Sequence, residues 1–246
     1  MFTYEFYITL VKELIARGYS TALFKADCCL KAIIYLRHDV DCDPLLAYNM
    51  AKIEAEHNLF STFFFQADGD LYSLLCEETR KVVCMIADMG HTVGLHVSPD
   101  SCKNIEDLKR LIHLTVDYLK QWNLPFSNIF SFHRPGSFSG WSDVKLPGFI
   151  NVYSQEYFRG IHYVSDSNRR KFWETVSFSA IHQDESLKSI QLLTHPVWWN
   201  TMETSPAETG SLLLDRSKEQ TKRALKKNIK LYRNLYFSHE DLEAKR

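Results

Sequence analysis

The sequence predicts an α/β protein built on a parallel sheet, and three observations predict it. Short apolar, partly β-branched runs alternate with segments of helical periodicity. Strands separated by helices imply right-handed crossovers and a sheet covered on both faces or closed into a barrel. The runs that begin at Ala32, Thr92, Ile129 and Ile190 each stop at His, Asp or Arg, and parallel folds gather their chemistry at the C-terminal ends of strands.

The elements follow in order. Phe6, Leu10 and Leu14, flanked by Val11 and Ile15, recur at helical spacing, and Gly18 stands where a left-handed cap belongs. Ala32 to Leu36 reads as a buried strand. A helix from about Pro44 to His57 comes next, with proline suited to its first turn. The alternation continues with a strand at Ser61 to Gln66, a helix at Leu71 to Met89, a strand at Thr92 to Leu95 and a helix at Ile105 to Trp122. Strands at Ile129 to Phe132, Tyr163 to Ser165 and Ile190 to Thr194 precede a long helix from about Asp215 to Phe237. Only Pro135 to Ile161, rich in Gly, Ser and aromatics, breaks the rhythm, and it reads as a surface excursion. One domain over 1–246 is the simplest organisation: a helix and lead-in over 1–31, a barrel over 32–200 and a C-terminal helix over 201–246.

With 246 residues, 45% hydrophobic, 24% charged and a net charge of −1, the chain has globular composition. That excludes disorder, collagen-like repeats and a coiled-coil rod, and no global field draws it to nucleic acid or an anionic membrane. Glu5, Lys12, Glu13 and Arg17 interrupt the early apolar positions, and no later run is long enough for a membrane span. The expectation is a soluble, cytoplasmic protein with no nucleic-acid partner and no integral membrane segment. Cys28, Cys29, Cys42, Cys76, Cys84 and Cys102 form no CxxC pair and are expected as reduced thiols. Between Arg216 and Lys230 seven basic residues face one acidic residue, Glu219, without interleaved aromatics, which reads as a solvated helix face.

The strand at Ala32 runs into Arg37-His38-Asp39-Val40-Asp41-Cys42-Asp43-Pro44. Asp43 suits a cap on the helix at Pro44. Asp39 and Asp41, two residues apart, can point into one site, one as a metal ligand and the other as a general base. His96 ends its strand, whereas His91 sits at the opposite end and is not expected to share a metal with it. His133-Arg134-Pro135-Gly136 and His195-Pro196-Val197-Trp198-Trp199 end two further strands. Trp198 and Trp199 suit either core packing or a substrate-stacking wall, and Asp166 suits either a turn or the site. Gly-rich phosphate loops and GxSxG elbows are absent.

In this order the motifs resemble the polysaccharide deacetylase superfamily (NodB homology, carbohydrate esterase family 4-like). The pieces are His38-Asp39-Val40-Asp41, Gly90-His91-Thr92-Val93-Gly94-Leu95-His96, His133-Arg134-Pro135 and Leu193-Thr194-His195-Pro196, with Ser61-Thr62-Phe63-Phe64-Phe65 resembling the second strand. HDVD and THPxWW are similar to the divergent branch that includes WbmS-like proteins of O-antigen and surface-polysaccharide gene clusters. The resemblance implies a distorted (β/α) barrel with fewer than eight parallel strands, one divalent metal ion, and hydrolysis of an N-acyl group, N-acetyl above all, from an amino sugar.

Carried over residue by residue, the resemblance makes Asp39 the general base, Asp41 and His96 metal ligands, Arg134 the residue that orients Asp39, and His195 the general acid. Four residues after His96, where the family has a second His, stands Asp100, so His133 is expected as the third ligand. His38, Asp166, Trp198 and Trp199 are expected to bind substrate. The excursion, with Phe138, Trp141, Phe149, Tyr153 and Tyr157, is expected to join the two tryptophans in the wall. Zn²⁺ accepts mixed Asp and His ligands, and Co²⁺, Mn²⁺ and Ni²⁺ do as well. The substrate would be an amino sugar, with a nucleotide, a lipid or a polymer all open as its carrier. Metal-independent amide hydrolysis and a catalytically silent sugar-binding protein are the alternatives on the same fold.

Overall fold

Thr3 starts the first helix, α1 (Tyr4–Ala16), by accepting a hydrogen bond from the Phe6 amide. Gly18, at φ 98°, ends the turn beyond it in the left-handed region that glycine occupies without strain. The fold is a computed structural model in which residues 2–25, 32–134, 143–169, 172 and 188–232 are described. It comprises two compact units, Met1–Glu203 and Thr204–Arg246.

In the first unit the order after α1 is β1 (Ser20–Thr21), β2 (Ile33–Val40), α2 (Pro44–Glu56), β3 (Thr62–Phe65), α3 (Glu77–Asp88), β4 (Thr92–Val97) and α4 (Ile105–Gln121). Then come β5 (Phe126–Phe132), β6 (Ile150–Asn151), β7 (His162–Ser165) and β8 (Ile190–Thr194). Seven strands form one path, β6-β5-β4-β3-β2-β8-β7, every pairing is parallel, and the two-residue β1 lies beside the start of β2. Among the described residues β6 and β7 do not pair, so the sheet is an open, distorted α/β barrel.

Register decides which side chains meet. Arg37 lies opposite Thr62, Thr62 opposite Thr92, and His96 opposite Ser131. Because side chains alternate along a strand, Arg37, Asp39, Phe64, Gly94, His96, Ser131 and Gln191 share one face. His38, Phe63 and Thr194 share the other, which α2 covers through Glu54. Gly94 has no room for a side chain: a Cβ would come within 2.7 Å of the Phe64 ring and 2.8 Å of Ile129. That close approach lets β3 and β5 crowd against β4 two residues before His96.

Several boundaries differ from the sequence reading. β2 runs to Val40, so Arg37, His38 and Asp39 belong to the strand rather than to a loop after it. β4 likewise reaches Val97 and contains His96. α3 begins only at Glu77, because Asp68-Gly69-Asp70 make a turn closed by an Asp68–Ser73 bridge. The expected excursion supplies β6 and a π-helical turn at Gln155–Arg159; its residues 135–142, with Phe138 and Trp141, lie outside the described residues. Cys28 and Cys29 also lie outside them, and Cys42, Cys76, Cys84 and Cys102 are free thiols.

In the second unit α5 (Pro206–Asn228) starts earlier than expected, on a reciprocal cap in which Ser205 and Glu208 satisfy each other's backbone amides. The expected end at Phe237 lies outside the described residues. Among the described residues no helix is long and apolar enough to cross a membrane.

Candidate functional site

At the C-terminal end of the sheet, β2, β4 and β5 bring Asp41, His96 and His133 together. Asp41 Oδ1 lies 3.1 Å from His96 Nε2 and 3.2 Å from His133 Nδ1, and the two ring nitrogens are 3.3 Å apart. A tetrahedral ion with bonds of about 2.0–2.1 Å has ligand atoms about 3.3 Å apart, so this donor set fits one divalent ion. His96 Nδ1 is 2.7 Å from Ser131 Oγ. Donation of Nδ1–H to that hydroxyl leaves the Nε2 lone pair facing Asp41 and His133. Burial opposes charge on Asp41, but the imidazoles of His133 and His96 beside it outweigh burial and hold the carboxyl far below its usual range. Asp100 is exposed and accepts from Ser98 Oγ instead.

Asp39 lies beside this cluster, its Oδ2 3.8 Å from His96 Nε2. The residue that orients it is Arg37, not Arg134. Arg37 donates from Nε to Asp39 Oδ1 (3.0 Å) and from Nη2 to Oδ2 (2.7 Å), and its third arm, Nη1, donates to Gln191 Oε1 (2.7 Å). The guanidinium is fully buried, with the Tyr153 ring centre 4.4 Å away and that of Phe64 5.6 Å away. Gln191 is itself tied to the carbonyls of Val152 and Tyr157. Burial disfavours the Asp39 anion, yet Arg37, and after it His96, hold its carboxyl below the ordinary value. The sequence carried a signal for this pair: Arg37, Asp39 and Asp41 are spaced by two along one extended run.

The third component is His195, which follows β8. Its Nδ1 is 2.6 Å from Asp166 Oδ1, and Asp166 Oδ2 accepts from the His195 amide (2.9 Å) and from Trp199 Nε1 (2.8 Å). Nε2 lies 3.7 Å from Asp41 Oδ2. Burial lowers the proton affinity of His195, but the charge and hydrogen bond of Asp166 more than offset this and raise its pKa to about 9.

Four expected substrate contacts are therefore reassigned or confined. His38 points to the opposite face by strand alternation; it is fully buried, bonded to Thr194 (2.7 Å) and to Glu54 (3.0 Å), and away from the site. Asp166 is buried and spends its oxygens on His195 and Trp199, so it positions the imidazole rather than touching a substrate. Trp199 is buried among Phe2, Tyr7 and Phe172. Trp198 alone of the pair reaches the cleft, a cavity of about 410 Å³ whose walls include Asp41, His133, Arg134, Ser167 and His195. Of the excursion's aromatics, Tyr153 braces Arg37, Tyr157 packs on Phe24 and Tyr35, and Phe149 lies near His113. Those three anchor the segment to the barrel instead of lining the cleft.

Fold and site together define an open parallel α/β barrel that gathers an Asp–His–His donor set able to hold one metal ion, an arginine-clamped carboxylate and a His–Asp pair at one end. Solved structures of similar fold include a CE4 family pseudoenzyme from Bacillus anthracis, 17% identical over 77% of this chain and 62% of that one, with a TM-score of 0.44. They also include the chitin deacetylase of the fungal pathogen Colletotrichum lindemuthianum (12% identity, 81% and 86% of the two chains, TM-score 0.49). A family 4 carbohydrate esterase from Bacillus anthracis is similar as well (16% identity, 86% of each chain, TM-score 0.45). The chain spans less than two thirds of the length of the first of these. No protein-family model matches the chain, and no curated protein does.

Proposed function

We propose that this protein is a metal-dependent hydrolase that removes an N-acyl group from an amino sugar. The observation that carries the reading is the convergence, at one end of the sheet, of the Asp41–His96–His133 set with Asp39 and His195. The order of the motifs in the sequence supports it independently. Asp41, His96 and His133 would hold one divalent ion, Zn²⁺ first among candidates. Such an ion supplies Lewis acidity to a carbonyl and to water.

The chain's own residues divide the proton work. Asp39, kept ionised by Arg37, takes a proton from the attacking water as its oxygen bonds to the acyl carbon. His195, kept protonated by Asp166, gives a proton to the amine nitrogen as the C–N bond breaks. The products are a carboxylate and a free amino sugar. A cytoplasmic setting in surface-polysaccharide assembly, with a nucleotide- or lipid-linked sugar, completes the reading.

The test pairs metal analysis of the purified protein with an assay for free amine on N-acetylated sugars and nucleotide sugars. About one equivalent of divalent metal, and turnover lost on chelation and restored by readdition, is the expected outcome. Turnover indifferent to chelation would replace this reading with metal-independent hydrolysis, and no turnover of any acetylated sugar would remove it.

A further inference from the structure

Arg134 is left without the task the sequence suggested for it. Both oxygens of Asp39 are already taken by Arg37. Arg134 instead lies on the cleft wall directly after the ligand His133, exposed, and makes no hydrogen bond or ion pair with any described residue. Asp70 lines the same cleft, yet no ion pair joins the two. The backbone of Arg134 sits at φ 52°, in the left-handed region. For a long side chain that conformation is uncommon and costs on the order of 1–3 kcal/mol, and such strain concentrates where a side chain must be aimed at a ligand.

A guanidinium offers five donors in a planar fork that matches the paired oxygens of a carboxylate or a phosphoryl group. Arg134 is the only arginine or lysine on the described cleft wall, and Gln66, Ser167 and Trp198 line the same cleft. We propose that Arg134 is the anion-recognising residue of the cleft, and that the substrate is an N-acyl amino sugar bearing a carboxylate or phosphoryl group close to the acylated ring. The substrate class rests on the hydrolase reading above; the anion subsite rests on Arg134 alone.

The experiment measures binding and turnover separately. Calorimetric titrations compare N-acetylglucosamine, N-acetylglucosamine 1-phosphate and N-acetylglucosaminuronate on the wild type, Arg134→Gln and Arg134→Lys, which also tells phosphate from carboxylate. A charge-assisted pair is worth enough to favour at least one anionic sugar about tenfold or more over the neutral one. Arg134→Gln should bring that ratio close to one, and Arg134→Lys should keep part of it. An unchanged ratio in Arg134→Gln, a wild-type ratio of one, or no detectable binding of either anionic sugar would overturn the subsite. Amine release from the same three sugars separates the two ideas. Arg134-dependent binding without turnover leaves the subsite and removes the hydrolase reading; turnover with an Arg134-independent ratio does the reverse.

Discussion

Arg37 grips both carboxylate oxygens of Asp39, two residues further along the same strand, at 3.0 and 2.7 Å. The pair is wholly buried, so each charge relies on the other. Removing one partner of a buried pair strands the other, at a cost of roughly 3–5 kcal/mol. Arg37→Met should therefore destabilise the protein by about that amount, and Arg37→Met combined with Asp39→Leu should recover much of the loss. Denaturant unfolding of the two singles and the double checks this; strictly additive losses would mean the pair is not coupled.

The metal set leads to a prediction about Ser131, which touches no proposed ion but fixes the His96 ring. Loss of such a supporting hydrogen bond typically lowers metal affinity by roughly 10–100-fold. Ser131→Ala should fall in that range, His133→Ala should lose the metal at ordinary concentrations, and Asp100→Ala should change nothing. Competition with a chelating dye measures all three, and retention of metal by His133→Ala would reassign the third ligand.

Acid sensitivity should come from a second buried network. Glu54 accepts from Tyr7, His38 and the Ser61 hydroxyl, with His91 3.7 Å away. Burial raises the Glu54 pKa, but His38 and then His91 and Ser61 hold it below its ordinary 4.5. Burial holds His91 below its ordinary 6.5 against the pull of Glu54. Both groups bind fewer protons folded than unfolded, so stability is full at higher pH and is lost on acidification. The loss begins as pH falls below the ordinary 6.5 of His91 and deepens below the ordinary 4.5 of Glu54. Glu54→Gln should lower stability at neutral pH and flatten the profile below the ordinary 4.5 of Glu54, while the His91 part, deprived of the anion that supports its charged form, stays at least as steep. Unfolding free energies measured at about pH 7, 5 and 4 test it; an unchanged acid slope would place the sensitivity elsewhere.

The neighbouring tryptophans should behave differently despite their identical chemistry. Trp199 is fully buried and donates to Asp166, so Trp199→Ala should cost roughly 3–5 kcal/mol. Trp198 lines the cleft, so Trp198→Ala should raise KM with a far smaller fall in Tm. A Tm drop in Trp198→Ala as large as that of Trp199→Ala would make both residues structural.

The alternation of strands and helices and the strand-end placement of Asp41, His96, His133 and His195 were legible in the sequence, because they depend on local pattern and spacing; His133 as third ligand in place of Asp100 came from the family resemblance and is a proposal that the Asp41–His96–His133 grouping supports. Face was legible only in part. Asp39 and Asp41 share a face by a spacing of two, and the same rule turns His38 away from the site, but the rule applies only if β2 continues through Asp39. Local propensity placed the end of β2 at Leu36. Parallel pairing with Phe63, Phe64 and Phe65 on one side and Leu193 and Thr194 on the other carried it on to Val40. Which arginine serves Asp39 was likewise a tertiary decision: Arg37 gains a cage of Tyr153, Phe64 and Gln191 contributed by three distant segments, and Arg134 gains none among the described residues. Packing also divided Trp198 from Trp199, since one extra residue after Pro196 turns a side chain from the cleft into the core. The sequence thus determined which chemical groups arrive at the barrel mouth. The registers of β2, β3 and β8, and the buried contacts that fix them, decided which of those groups touch.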